Sequence, residues 1–107
     1  MEERLRVIDR LYPFTIEILE RVVDGSSSDV LRSELKLIAV RVLLLFNRFH
    51  MKHERRDDLI EAIAMMDDLR VMLRLSVDTK VINIETYRDL DDRAQDMIKG
   101  MLSMVRY

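Results

Sequence analysis

Four times along this chain, aliphatic, methionine and aromatic residues recur at alternating steps of three and four, and no convincing stretch alternates at every second position. That spacing returns side chains to one face of a helix and gives no half-buried strand, so the chain is built to fold by packing helices together. Leu5, Ile8, Tyr12, Ile16, Leu19 and Val23 mark the inner face of a first helix over Glu2 to Val23. Leu31, Leu35, Ile38, Val42, Leu45 and Phe49 mark a second over Asp29 to His53, with the a/d alternation of a bundle seam. Leu59, Ala62, Ile63, Met66, Leu69 and Leu73 do the same for a third over Asp57 to Val77. After Asn83 a fourth helix carries Tyr87, Leu90, Ala94, Met97, Ile98, Met101, Leu102 and Val105. Only two glycines and one proline punctuate 107 residues, too few for the turns of a β-sandwich. The expected fold is all-α, an antiparallel up-down-up-down four-helix bundle that takes up residues 1–107 as a single domain.

The breaks carry the chemistry of helix ends. Asp24-Gly25-Ser26-Ser27-Ser28 stops the first helix, and Ser28 or Asp29 suits the N-cap of the second. Pro13 falls inside the first helix, where its missing amide proton predicts a kink. Asp57 and Asp58 suit the positive end of the third helix, and Asn83 is a natural cap for the fourth. With no cysteine, neither a disulfide framework nor a thiolate metal cage is possible. The charged start, Met-Glu-Glu-Arg-Leu-Arg, has no apolar segment after it, and the run Leu37 to Phe46 is broken by Arg41 and far shorter than a membrane span. The expected setting is the cytoplasm, with no membrane partner.

A second set of apolar positions bears on assembly. Val7, Leu11, Phe14 and Ile18 form another stripe on the first helix, and Leu37, Val40 and Leu44 another on the second. Ile60, Ala64, Val71 and Leu75 give the third helix a weaker one, whereas the fourth is charged outside its core face. A four-helix monomer has one interior, so the extra stripes predict a homo-oligomer joined through the first two helices, with those seven residues at the interface and the fourth helix outermost.

Charge is unevenly spread. Residues 1–56 hold 11 basic against 9 acidic residues and residues 57–107 hold 7 against 11, giving a net charge of −2 overall. Arg41, Arg48, Lys52, Arg55 and Arg56 follow one stripe along the second helix and its exit, a pattern able to hold phosphates or an acidic partner. Asp67-Asp68 and the group Asp89, Asp91, Asp92 and Asp96 look like acidic surface or salt-bridge partners for Arg70, Arg74, Arg88 and Arg93. His50 and His53 stand three apart beside Glu54, but no third histidine completes a zinc site, so no metal and no cofactor is expected. The Arg-x4-His spacing of Arg48 and His53 resembles the signature of the HEPN-type helical endoribonucleases, in which arginine holds and histidine protonates a phosphodiester. Phe49 stands where that family usually has a polar residue.

From the third helix onward the segments Asp67-Asp68-Leu69-Arg70-Val71-Met72-Leu73-Arg74-Leu75-Ser76, Val81-Ile82-Asn83-Ile84-Glu85-Thr86-Tyr87 and Met97-Ile98-Lys99-Gly100-Met101-Leu102, with Leu11-Tyr12-Pro13 before them, form a wider pattern. It resembles the four-helix-bundle family of the diversity-generating retroelement accessory variability determinant and the proteins encoded in ribosomal-RNA intervening sequences. The resemblance implies a homopentamer without enzymatic activity that binds a reverse transcriptase, and RNA or DNA, through basic surface. Gly100 costs about 1 kcal/mol in a helix interior relative to alanine, so a packing role is expected there.

Overall fold

The protein is described from a computed structural model, which covers residues 2–22, 29–51 and 56–105. It forms four helices and, among the described residues, no strand: α1 (Glu2–Arg21), α2 (Asp29–Met51), α3 (Arg56–Asp78) and α4 (Ile84–Ser103). Each packs on the next in sequence, and α4 returns to α1, so the four enclose one core in a body of 45 × 21 × 20 Å. Arg10, Glu17 and Arg21 of α1 meet Asp96, Arg93 and Asp89 of α4 in that order, so these two helices run in opposite directions. Pro13 lies within α1, which continues through it as helix.

The inner faces of α2, α3 and α4 follow the apolar spacing. Leu35, Val42, Leu45 and Phe49 of α2 are buried, as are Leu59, Ala62, Met66, Leu69 and Leu73 of α3 and Leu90, Ala94, Met97, Ile98 and Met101 of α4. Phe46 and Phe49 pack with ring centroids 5.6 Å apart and planes tilted by 51°. Gly100 is buried as well, while Leu102, expected inside, is exposed.

On α1 the expected faces are exchanged. Val7, Leu11, Phe14 and Ile18, expected between copies, are at most 2% exposed within the chain's own core. Tyr12, Ile16 and Leu19, expected inside, face outward, and Ile8 is half-buried. At about 100° per residue the apolar positions of α1 form one continuous arc of roughly 200°, wider than a bundle interior accepts. The flanks decide which end of that arc goes in. Arg10, Glu17 and Arg21 border the Phe14 end, where they reach the charged side chains of α4. Turning the other end inward would break those pairs and bury the Tyr12 hydroxyl.

Two polar features lock α4 onto its neighbours. Arg70 donates from Nε to Asp91 Oδ1 at 2.8 Å and from Nη2 to Oδ2 at 3.3 Å, and Gln95 donates to the same Oδ2 at 2.8 Å. Burial alone pushes the Asp91 carboxyl up, but the hydrogen bonds from Arg70 and Gln95 and the guanidinium charge outweigh it and hold the group below the ordinary carboxylate range. The hydrogen bond to Asp91 raises Arg70 in turn. On the other side, Arg93 pairs with Glu17 and Asp89, lies 5.6 Å over the Phe14 ring, and is lowered by its burial. Of the pairings expected for the acidic group of α4, Arg70 with Asp91 and Arg93 with Asp89 form; Arg74 instead takes Asp78, and Asp96 takes Arg10.

The α3–α4 connection is set by backbone geometry. Lys80 adopts a left-handed φ of 64°, and the amides of Val81 and Lys80 donate back to the carbonyls of Ser76 and Val77 at 2.7 and 3.0 Å, which closes the end of α3 as a Schellman motif. Asn83 then caps α4, its side-chain oxygen accepting from the Thr86 amide at 2.7 Å.

Candidate interaction surface

The outward side of α1 and α2 is apolar. Ile8 and Tyr12 of α1 meet Leu43, Leu44 and Asn47 of α2 around a shallow groove of about 290 Å³. From there, successive turns of α1 present Ile16 and Leu19, and successive turns of α2 present Val40 and Leu37. Tyr12 is 59% and Leu44 is 53% exposed, values uncommon for side chains of this size in a monomer that already has a full core. The α2 half is longer than the spacing of Leu37, Val40 and Leu44 implied. Val30, Leu37, Leu44 and Met51 are all exposed and stand seven apart, with Ser33, Val40 and Asn47 in the intervening positions. That is a second heptad row of apolar residues, on the opposite side of the helix from the seam facing the core.

A cationic edge borders this surface on the α3 side. Arg41 and Arg48 share a groove of about 320 Å³ with Leu44, Leu45, Glu61 and Met65. Both arginines are exposed, and Arg56 is exposed at the start of α3; Lys52 and Arg55 lie outside the described residues. The stripe is less free of acids than its sequence implies, because Arg48 comes within 4.0 Å of the buried Asp58 carboxylate and Glu61 lines the same groove. Helical spacing hid this, since Asp58 and Glu61 belong to a different helix and their approach depends on how α2 and α3 pack.

The alternative ribonuclease pair is not brought together by anything described: Arg48 faces outward, and His53, like Glu54, lies outside the described residues. His50 is half-buried, on the flank of α2 away from Arg48. Among the described residues no group of three or more histidine, cysteine or acidic side chains is placed to hold a metal, and no helix is long and apolar enough to cross a membrane. A third groove, of about 280 Å³ between α1 and α4, is lined by Asp9, Arg10, Pro13, Arg93, Asp96 and Met97 and is crossed by the Arg10–Asp96 ion pair.

Tyr12, Ile16 and Leu19 are the surface residues that apolar spacing misplaced. The charges on the far edge of the α1 arc, Arg10, Glu17 and Arg21, were the signal that could have located them. Compared with protein-family models, curated proteins and solved structures, the chain matches none of them.

Proposed function

We propose that this protein is a non-enzymatic accessory protein that works as a homo-oligomer, joined through the outward surface of α1 and α2, and that it presents a cationic end to nucleic acid or to a polymerase. The observation that carries this reading is the apolar surface of Tyr12, Ile16, Leu19, Leu37 and Leu44, left in water by a bundle whose interior is already filled. Its position agrees with assembly through the first two helices, although the α1 residues are not those the spacing suggested. The partner-binding end is where α2 finishes and α3 begins: Arg48 and Arg56 with Lys52 and Arg55 of the connector. Arg41 lies about 10 Å further along α2, at 1.5 Å per residue.

The likeness to the retroelement accessory family supports a reverse transcriptase, with its RNA or DNA, as the partner and a pentamer as the assembly. Contacts of guanidinium groups with phosphates release counterions, so binding is steeply salt-dependent and weakly sequence-dependent. The test measures two things separately. Sedimentation gives the assembly state of the wild-type chain, and a strictly monomeric species at micromolar concentration ends the oligomer reading. Fluorescence anisotropy with a labelled RNA, and capture of a purified reverse transcriptase, compare the wild type with Arg48→Glu/Lys52→Glu. Unchanged binding to both in the double variant ends the assignment of the cationic end.

A further inference from the structure

Besides the α1–α2 surface, one more helix leaves apolar side chains in water. Ile60, Val71 and Leu75 of α3 are exposed, with the small Ala64 exposed between them. At about 100° per residue these four fall within one narrow ridge on the outer side of α3, and Asp67 and Asp68 straddle its midpoint. The α2 ridge has the reverse polarity. Leu37 and Leu44 lie on either side of its midpoint, and between them stands Arg41. Arg41, Asp67 and Asp68 are all exposed, and none of the three forms a direct ion pair among the described residues, although the Asp67 charge also acts on Arg70.

The two ridges also match in length and register. Both helices have 23 residues, and Arg41 and Asp67–Asp68 occupy their centres. With centres aligned, Leu37 and Leu44 fall opposite Ala64 and Val71, which stand seven apart like the leucines, while Ile60 and Leu75 reach toward the Val30 and Met51 ends. Because the carboxylates flank the α3 ridge on both sides, one of them meets Arg41 whichever way the helix points. Two α2 ridges laid on each other in the same register would instead bring Arg41 against its own copy, a like-charge contact that disfavours a twofold pairing of this face.

We propose that copies of the chain join head to tail, the α2 ridge of one, with Tyr12 and Ile16 of α1 beside it, receiving the α3 ridge of the next so that Arg41 sits against Asp67 or Asp68. This rests on the oligomeric reading above and names its second surface. Such a contact is heterologous: each copy offers one α2 ridge and one α3 ridge, and the chain of contacts either closes into a ring or runs on as a filament. It also divides the basic stripe. Arg41 is covered by the neighbouring copy and Arg48, between Leu44 and Met51, stands at the rim of the contact, whereas Arg56 at the start of α3 stays exposed for another partner.

Two full-length variants test it, Leu44→Glu on the α2 ridge and Val71→Glu on the α3 ridge, both at positions exposed enough to leave the fold intact by circular dichroism. Each puts a carboxylate in the middle of a contact, for an expected loss of at least about thirtyfold in association, as at interface hot spots. In sedimentation each variant alone is expected to be monomeric. An equimolar mixture is expected to give a one-to-one dimer and nothing larger, because only one intact α2 ridge and one intact α3 ridge remain to meet. Arg41→Asp is expected to weaken assembly, and Arg41→Asp/Asp67→Arg/Asp68→Arg to restore it. If Val71→Glu assembles like the wild type while Leu44→Glu does not, the head-to-tail contact is overturned and assembly through α1 and α2 stands. If the mixture stays monomeric, the head-to-tail contact is likewise overturned. If the wild type is itself monomeric, both readings fall.

Discussion

Arg70→Ala and Asp91→Ala both remove the two hydrogen bonds of the clamp, and Asp91→Ala also removes the one from Gln95, yet the replacement of Arg70 should cost more. The Asp91 side chain is 11% exposed and that of Arg70 is 37% exposed. Arg70→Ala strands a carboxylate that is nearly out of water, with the Gln95 amide as its remaining side-chain donor. Asp91→Ala frees an arginine whose long stem lets the guanidinium swing into solvent. Hydrogen bonds to charged groups contribute roughly 1.5–3 kcal/mol, and an unpaired buried charge adds its desolvation cost. For Arg70→Ala the expected loss is therefore about 2–3 kcal/mol, and for Asp91→Ala about 1 kcal/mol, because the half-exposed arginine is screened by water. The larger figure corresponds to a fall in Tm of roughly 10 °C or more for a domain of this size.

Urea unfolding followed by circular dichroism, at one fixed protein concentration so that assembly contributes equally, reads both values. The pH dependence supplies a second check with a definite sign. Asp91 is held below its ordinary value in the folded chain, so its contribution is fully present above the unfolded carboxyl value, about 3.9, and is lost as pH falls through the lower folded value. Without Arg70 the burial that opposes ionisation is no longer outweighed, and the carboxyl moves up. The gap in stability between wild type and Arg70→Ala should accordingly narrow on going from neutral pH to acid. If Asp91→Ala proves as costly as Arg70→Ala, or the gap widens in acid, the reasoning from burial is wrong.

Three shorter expectations concern the backbone and α1. Lys80→Gly should stabilise the chain by about 0.5–1 kcal/mol, since the left-handed φ of 64° strains any residue with a Cβ, and a calorimetric scan measures it. Asn83→Ala should cost about 1 kcal/mol by removing the acceptor for the Thr86 amide, visible as a lower urea midpoint with unchanged slope. Phe14→Ala should cost about 3–5 kcal/mol, whereas Tyr12→Ala at the exposed site should change the stability of a dilute sample by no more than about 0.5 kcal/mol. The reverse order in thermal unfolding would mean that α1 presents its other flank to the core.

What could be read without coordinates follows the width of each apolar arc. On α3 the stripe Leu59, Ala62, Met66, Leu69 and Leu73 is narrow and flanked by charge, so its inward face had one solution. The same holds for α4, with Leu102 as the lapse at its end. Asn83 was legible as a cap because its chemistry is local, needing only the Thr86 amide three residues on. The approach of Arg48 to Asp58, and which acid of α4 Arg70 takes, depend on the relative rotation of packed helices. Their spacing in sequence, 10 and 21 residues, carries no information about that rotation. The Lys80 conformation was hidden for another reason: the Schellman closure usually takes glycine, and here the position is lysine.

The ambiguity of α1 and the case for assembly have one physical origin. An amphipathic helix that serves a single interior has a polar half, and that half tells which way it turns. On α1 the polar residues occupy less than half the circumference. Whichever end of the arc faces the core, several large apolar side chains must then stay outside, and exchanging Val7, Leu11, Phe14 and Ile18 for Tyr12, Ile16 and Leu19 alters which residues are exposed without altering that surplus. The second apolar row on α2, with Val30, Leu37, Leu44 and Met51 seven apart, obeys the same logic and cannot be removed by any rotation, because its opposite face is already buried against α3 and the rest of the core. At about 25 cal/mol per Å² these side chains carry a driving force of several kcal/mol toward whatever covers them. Charge at their borders, chiefly Arg41 on α2 against Asp67 and Asp68 on α3, then selects the covering surface.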